Sequence, residues 1–247
     1  MKSLLAVGTL VLLYLLASMN FTGDFLGQFQ GSQGIVTDSN GFNAVVDISH
    51  WQGTDLDFNE AYNTAGIRGI IHKATEGTTS VDDAYSTNRR NAKAAGMLWG
   101  AYHFATGSDA AAQAEHFLNV VNPDSETLLV LDFESNPDGS SMSVDQAVEW
   151  VNYVKEKHGK YPVLYGGGYL KDMLGGSANP TLSQCPLWLA EYGSDPELPP
   201  GWGYYSLWQY TDGVHGPTPH NTPGLGKVDK DIWNGTDDSL RRFWTTQ

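Results

Sequence analysis

The chain has 247 residues, of which 40% are hydrophobic and 17% charged, so it fits one large domain or two small ones and excludes wholesale disorder. Its formal net charge of −14 argues against a nucleic-acid partner, because binding there depends on cationic neutralisation of phosphates. The single cysteine, Cys185, excludes an intramolecular disulfide, and we expect it to be a small buried side chain. With no Cys/His cluster, we predict no metal and no cofactor.

The N-terminus has the sequence pattern of a targeting signal. Met1 and Lys2 precede an apolar run over residues 4–17, which is short for a membrane-spanning helix of about 20 residues and typical of a secretory signal. The cleavage motif at residues 17–19 is only loosely matched, so an uncleaved anchor stays open. We predict that residues 1–22 are a signal peptide or an N-terminal membrane anchor, with the rest of the chain secreted or held outside the membrane.

Residues 23–40 are rich in Gly, Gln, Ser and Asp, a composition typical of a flexible linker. We therefore predict one folded domain over residues 41–247, and we expect it to be a monomer.

Apolar runs of strand length alternate with helical segments from residue 41 onward. The predicted strands cover residues 44–49, 69–74, 98–104, 128–133, 161–165, 186–191, 204–210 and 228–233. The predicted helices cover residues 57–65, a segment opened by Ser80 and Asp83 and reaching Ala95, a segment capped by Ser108 and reaching Val121, a segment opened by Ser143 with Gln146 and ended by Gly159, and residues 169–174.

This order predicts an α/β fold. Strands that alternate with helices indicate parallel pairing through right-handed crossovers, and eight strands indicate a closed barrel. The stretches between the last three strands are rich in Pro and Gly and have no helical period. The prediction is therefore an irregular TIM-like barrel, with five β/α units followed by three strands with little helix.

Two acids follow the fourth apolar run, which reads Leu-Leu-Val-Leu before Asp132, Phe133 and Glu134. Residues i and i+2 of a strand face the same side, so the two carboxyls should project together. Close carboxylates at an apolar edge are costly to ionise together, which raises one pKa and suits a general acid. The alternative is a strand that simply ends in solvated acids.

The other predicted strands also end in chemistry-bearing residues. In a barrel of this type the active site lies at the C-terminal ends of the strands. The side chains expected at that rim are Asp47, Lys73, Glu76, Tyr102, His103, Asp132, Glu134, Tyr165, Glu191, Tyr192, Gln209, Tyr210, Asp229 and Asp231.

Several of these segments resemble a known family. Residues 46–53, Val-Asp-Ile-Ser-His-Trp-Gln-Gly, are similar to the opening motif of glycoside hydrolase family 25, the Chalaropsis-type lysozymes or N-acetylmuramidases. The resemblance continues through residues 73–77, 88–96, 100–104, 131–134, 187–190, 208–210 and 228–229, and it spans about residues 43–235. It implies a barrel of five β/α units and three closing strands, which agrees with the strand count.

The resemblance also implies roles. Glu134 matches the family's general acid, and Asp132 matches the second acid of its Asp-x-Glu pair. Asp47 and Asp229 match two further cleft carboxylates. The residues expected to bind the substrate are Tyr102, Tyr165, Trp188, Tyr192, Gln209 and Glu76. The motif residues Trp51 and His50 match less well, and His50 is given no role.

The implied reaction is hydrolysis of the β-1,4 bond between N-acetylmuramic acid and N-acetylglucosamine in bacterial peptidoglycan. Backbones two residues apart on a strand lie roughly 6.6 Å apart, whereas retaining carboxyl pairs lie about 5–5.5 Å and inverting pairs about 6.5–9.5 Å apart. Because the side chains can adopt different rotamers, the backbone spacing does not distinguish a retaining pair from an inverting pair. The resemblance favours a third route, in which the substrate's own 2-acetamido oxygen attacks and Asp132 orients the amide.

Three other functions compete with this interpretation. A chitinase-like glycosidase would carry additional aspartates before its Glu, and residues 128–131 have none. A non-catalytic glycan-binding protein would have lost one of the four acids, and all four are present. A metal hydrolase would use His72, His103 and the acids, but no tight histidine spacing supports it.

Overall fold

Eight strands close into a barrel in the computed structural model, which describes residues 44–193 and 195–247. The barrel strands are β1 (Val45–Ile48), β2 (Gly69–Glu76), β4 (Leu98–Phe104), β5 (Thr127–Asp132), β6 (Val163–Gly166), β7 (Leu187–Ala190), β8 (Leu207–Thr211) and β11 (Asp229–Trp233). The predicted signal or anchor over residues 1–22, the linker over 23–40 and the domain start at residue 41 lie outside the described residues.

Short strands and helices surround the barrel. The short strands are β3 (Ser80–Val81), β9 (Asn221–Thr222) and β10 (Gly226–Lys227), and the helices are α1 (Phe58–Asn63), α2 (Tyr85–Ala94), α3 (Ala110–Val121), α4 (Val144–His158), α5 (Gly168–Leu174) and α6 (Asp237–Thr246). The irregular α/β barrel is thereby confirmed. Among the described residues, no helix combines the length and apolar character needed to cross a membrane.

Local signals account for the start and end of α4. The Ser143 side chain accepts from the backbone of Gln146, whose own side chain accepts from the Ser143 backbone, as the predicted capping box requires. Gly159 ends the helix with φ 88°, a conformation that glycine adopts without steric cost.

The predicted cap of α2 is wrong. Ser80 lies in β3, which pairs with the last two residues of β2, and the helix begins only at Tyr85. The backbone N–H of Asp82 donates to the Ala74 carbonyl, so the segment continues the hairpin instead of opening a helix. A similar shift affects α3, where the capping side chain belongs to Asp109 and not to Ser108.

Strand β11 corrects the prediction of parallel pairing. Seven barrel strands run parallel, but β11 runs antiparallel to both β1 and β8. The connection from β8 to β11 covers residues 212–228 and holds only the small β9–β10 hairpin. The consequence is that Asp229, the first residue of β11, lies opposite Asp47 at the end where the parallel strands finish.

The floor of the barrel is closed by α6, a helix that the sequence patterns do not predict. Its Trp244 is fully buried among interior side chains, and its indole N–H donates to the Trp99 carbonyl at 2.8 Å. A Cβ at Gly69 would lie 2.8 Å from the Trp244 ring, and a Cβ at Gly100 would lie 3.3 Å from it. These two glycines make room for the tryptophan, so the barrel opens at its other end.

Candidate active site

The open end of the barrel holds a pocket with an empty volume of about 330 Å³. Eight of the ten predicted site residues line it, namely Asp47, Tyr102, Asp132, Glu134, Tyr165, Trp188, Gln209 and Asp229. The structure therefore brings together all four predicted carboxylates and four of the six predicted substrate-binding side chains.

Asp132 and Glu134 face this pocket from the end of β5. Phe133 between them turns away and packs against Tyr169 of α5, with ring centroids 5.2 Å apart. Asp132 is only 5% exposed, and its Oδ1 has no hydrogen-bond partner among the described residues. Glu134 is more accessible to solvent than Asp132 and is partly exposed. The shared face expected from the i, i+2 spacing is confirmed.

Burial controls the protonation of this pair. It is the main cause that raises the pKa of Asp132 well above its usual value, and the charge of Glu134 adds to the rise. Burial also raises the pKa of Glu134. Lys73 on β2 opposes both shifts, and its ammonium lies 2.6 Å from Glu76 Oε2. The pair thus retains a proton at a pH at which exposed acids have lost theirs.

A second pair of carboxyls, Asp47 and Asp229, faces the first across the pocket. Tyr165 Oη donates to Gln209 Oε1 at 2.9 Å, and Gln209 Nε2 donates to Asp47 Oδ2 at 2.8 Å. Burial, followed by the charges of Asp229 and Asp231, raises the pKa of Asp47 well above its usual value.

The pKa of Asp229 rises to about 6. Burial is the main cause and the charge of Asp212 adds to it, while a hydrogen bond with Asp47 acts in the opposite direction. These two acids therefore also titrate as a linked pair.

A fifth carboxyl, that of Asp231, lies beneath these four; it was expected at the rim but was given no catalytic or binding role. It is fully buried, and its Oδ1 accepts from Trp188 Nε1 at 2.7 Å. Its Oδ2 has no partner among the described residues, and burial raises its pKa well above the usual value. The alternation that pairs Asp132 with Glu134 also pairs Asp229 with Asp231, so the signal was present in the sequence.

Aromatic rings form the walls of the pocket. Tyr165 and Trp188 meet edge to face with centroids 4.6 Å apart, and Tyr102 stands on the neighbouring side. Two predicted substrate-binding residues lie outside the pocket lining. Tyr192 follows β7 and is 45% exposed, and Glu76 ends β2 in its ion pair with Lys73.

The two histidines of the metal-hydrolase alternative point away from the pocket into the layer between strands and helices. His72 Nε2 lies 3.0 Å from Asn88 Nδ2, and His103 contacts Thr75 and Gln113. Burial lowers the pKa of His72 to about 4 and that of His103 to about 3. In residues 44–193 and 195–247, no group of three or more His, Cys, Asp or Glu side chains is arranged to hold a metal ion.

Cys185 is 2% exposed, as expected, and burial raises the pKa of its thiol to about 12. It lies at the other end of the barrel, before β7, and takes no part in the pocket.

Comparison with known proteins finds consistent relatives. The family model for glycosyl hydrolases family 25 matches residues 46–217. Lysozyme M1 of Streptomyces globisporus is 35% identical over 210 residues, 77% of this chain and 67% of its own. The N,O-diacetylmuramidase of Chalaropsis sp is 34% identical over 184 residues, 67% of this chain and 86% of its own.

Solved structures agree with these relatives. The bacterial lysozyme from Streptomyces coelicolor superposes with a TM-score of 0.72 at 31% identity, covering 81% of this chain and 96% of its own. The muramidase from Acremonium alcalophilum superposes with a TM-score of 0.70 at 35% identity, covering 82% of this chain and 98% of its own.

Proposed function

The chain belongs to glycosyl hydrolases family 25 and is a muramidase-type glycoside hydrolase acting on peptidoglycan, and from this premise we propose that Glu134 is its general acid. The bond cleaved is the β-1,4 linkage between N-acetylmuramic acid and N-acetylglucosamine. The observation that carries the proposal is the pair of a buried Asp132 and a partly exposed Glu134 in a pocket walled by aromatic rings.

Glu134 suits a proton donor because it is the more exposed member of the pair and its pKa is raised. A glycosidic oxygen in the pocket would meet it at the rim, and a protonated carboxyl there can protonate the leaving group. Asp132 lies deeper in the pocket, and burial raises its pKa as well, so the two carboxyls compete for the proton that the pair retains.

Substrate binding determines which of the two carboxyls keeps that proton. The unpartnered Oδ1 of Asp132 is an acceptor for the amide N–H of a 2-acetamido group. A hydrogen bond to the charged form of a carboxyl stabilises that form, so Asp132 becomes the anion and Glu134 keeps the proton. Asp132 then orients the amide whose oxygen attacks the anomeric carbon, and its charge stabilises the positive intermediate.

Asp47 and Asp229 place carboxyl groups on the side of the pocket that faces the Asp132–Glu134 pair. They face the same pocket, and Gln209 holds Asp47 in place through the hydrogen bond from its side-chain amide. Negative charge preorganised around the anomeric centre stabilises an oxocarbenium-like transition state. Tyr102, Tyr165 and Trp188 present the apolar and polar surfaces on which a sugar ring is positioned.

Peptidoglycan lies outside the cytoplasmic membrane, so the enzyme acts there. We propose that residues 1–22 direct export, as a cleaved signal or as a retained anchor, and that the exported enzyme is bacteriolytic. Monomeric assembly and membrane attachment stay predictions.

Two substitutions test the assignment on purified cell walls. Glu134→Gln should abolish release of soluble fragments, and Asp132→Asn should lower it by about 10²–10⁴-fold, the usual contribution of one positioned acid–base group. Glu149→Gln, which changes an exposed acid on α4, is the matched control and should leave the rate unchanged.

Mass spectrometry of the fragments identifies the bond. Reducing-end muramic acid is the expected product, and reducing-end glucosamine would contradict the muramidase assignment. Cleavage of chitin oligosaccharides in preference to walls would favour the chitinase-like alternative. Full activity of Glu134→Gln would remove Glu134 from the mechanism.

A further inference from the structure

The catalytic end of the barrel carries an exposed apolar surface outside the pocket. Trp51 is 84% exposed, the highest value among the large hydrophobic side chains of the described residues, and Val81 is 52% exposed. The two lie on neighbouring segments, because His50 next to Trp51 contacts Asp82 next to Val81 through both its ring and its backbone N–H. We call Trp51, His50 and Val81 the Trp51 shoulder.

Trp51 contributes little to the stability of the fold. A side chain that stays 84% exposed buries little apolar area, so hydrophobic burial does not explain its presence. A large exposed aromatic beside a substrate pocket is instead typical of a binding surface.

The backbone that carries Trp51 is held rigidly. Its N–H donates to Ser49 Oγ, while the Ser49 N–H donates to Gln52 Oε1, so that both ends of the turn are closed. The His50 N–H donates to the buried carboxylate of Asp82 at 3.0 Å. On the far side, the fully buried Asn88 donates to the Gly53 carbonyl at 2.9 Å. Such a turn presents the indole in one place, which lowers the entropy cost of binding to it.

The His50 ring further restricts the indole. The two ring centroids are 4.7 Å apart at an interplanar angle of 36°, and His50 Nδ1 is bound to Asp82 at 2.8 Å. One face of Trp51 is thereby partly backed by protein, and the opposite face is left to solvent.

A polar strip at the end of β2 connects the shoulder to the acids. Lys73 pairs in register with Tyr102, which lines the pocket, and its ammonium binds Glu76. Glu76 in turn pairs with Ser80, the residue before Val81. A linear chain that leaves the pocket over β2 therefore meets charged hydrogen-bonding groups first and an exposed aromatic face next.

We propose that the Trp51 shoulder is an outlying subsite that binds a sugar ring of the glycan strand beyond the rings held in the pocket. The proposal rests on the proposed function, since it takes the pocket's substrate to be a polymer of pyranose rings. The C–H groups of a pyranose face carry partial positive charge and pack against the negative face of an indole. Lys73 and Glu76 offer hydrogen-bonding groups to the part of the strand between the pocket and the indole.

The chemistry of the shoulder favours a neutral sugar over the charged parts of the cell wall. Asp82 is buried and committed to His50, and the net charge of −14 opposes an anionic polymer. Binding at this distance from the acids should affect long strands and leave short ones unaffected.

The test compares substrates of different length. Trp51→Ala should lower kcat/KM on long glycan strands about tenfold, mainly through KM, because a stacked ring is lost. On the shortest oligosaccharide that the enzyme cleaves, kcat/KM should be unchanged. Trp51→Phe keeps an aromatic face and should recover most of the loss. Tyr204→Ala removes a 65% exposed aromatic that precedes β8 at the closed end of the barrel, and it should affect neither substrate.

A binding measurement separates this proposal from the proposed function. In the Glu134→Gln background, titration calorimetry with long strands should show a Kd about ten times higher when Trp51→Ala is added. If Glu134→Gln still hydrolyses the strands, the general-acid assignment fails, and the subsite is then judged by the kinetic comparison of long and short substrates alone. Equal losses on short and long substrates, or no loss on either, would overturn the subsite. A defect that disappears when stem peptides are removed from the strands would assign the shoulder to peptide and also overturn the sugar.

Discussion

Five carboxyl groups, from Asp47, Asp132, Glu134, Asp229 and Asp231, meet at the mouth of one narrow barrel. Asp231 is fully buried and has the least access to water, so its ionised form is opposed most directly. Its pKa is raised in the folded state above the value it has when unfolded. Its contribution to stability is therefore fully present below the unfolded value, near 3.8, and is lost as the pH rises through the folded value.

Asp231→Asn should therefore stabilise the protein at alkaline pH and not at acid pH. Asparagine keeps the acceptor for the Trp188 indole N–H and removes the group that must ionise or hold its proton. We expect equal melting temperatures for the variant and the wild type at pH 4. At pH 8 the variant should gain roughly 1–3 kcal/mol, about 2–4 °C for each kcal/mol in a chain of this size.

Circular-dichroism melting at the two pH values measures this difference. The low pKa values of His72 and His103 also make stability depend on pH, but both residues are common to the two proteins and cancel in the comparison. Asp138→Asn, at an exposed position, is the control and should shift neither melt. A gain of the same size at pH 4 and pH 8 would show that charge on Asp231 is not the cause.

At the scale of elements, α6 and β11 decide the shape of the barrel. Strand β11 turns Asp229 toward the acids, and α6 inserts Trp244 against Gly69 and Gly100 to close the opposite end. Both elements follow the region in which strands and helices alternate. The packing of one large side chain, Trp244, therefore closes one end of the barrel, and the pocket lies at the other end.

Trp244→Ala should lower the free energy of unfolding by about 3–5 kcal/mol, because it removes a fully buried indole and leaves a cavity beneath the barrel. Urea denaturation measures the loss. The matched control is Trp51→Ala, which deletes the same side chain at an exposed position and should cost less than about 0.5 kcal/mol. Similar losses for the two variants would mean that α6 does not support the barrel.

At the scale of the whole molecule, the net charge of −14 acts against approach to an anionic wall. The acids of the pocket add negative potential at the surface that must meet the substrate. Repulsion between exposed charges is screened over about 8 Å at physiological ionic strength and reaches about 30 Å at 0.01 M. Added salt should therefore weaken the repulsion and increase the rate at which the enzyme binds the wall.

Initial rates on walls that retain their anionic polymers should rise several-fold between about 10 mM and 150 mM NaCl at constant pH. Turbidity clearing provides the rate. Walls stripped of those polymers should show a much smaller rise, since less charge is left to screen. A rate that falls with salt on intact walls would indicate that attraction, and not repulsion, governs the encounter.

The barrel and most of the pocket follow from local patterns. The length and periodicity of the apolar runs predict the eight strands. The i, i+2 spacing of Asp132 and Glu134 predicts that their carboxyls share one face. The same alternation places Asp229 and Asp231 on one face, and both were expected at the rim, although only Asp229 was given a role. The predicted helix cap at Ser80 was wrong because the last two residues of β2 form a strand pair with Ser80 and Val81. A local capping motif contains no information about that pairing.

By itself, the sequence determined the α/β class, the closed barrel and the family motifs at the strand ends, because periodicity and residue type are local properties. Only the tertiary structure decided that β11 runs antiparallel, that Trp244 seals the floor and that Tyr192 and Glu76 lie outside the pocket. It also decided that Trp51 stands exposed on a rigid turn. Each of these depends on contacts between residues far apart in the chain, whose free energies no local pattern contains.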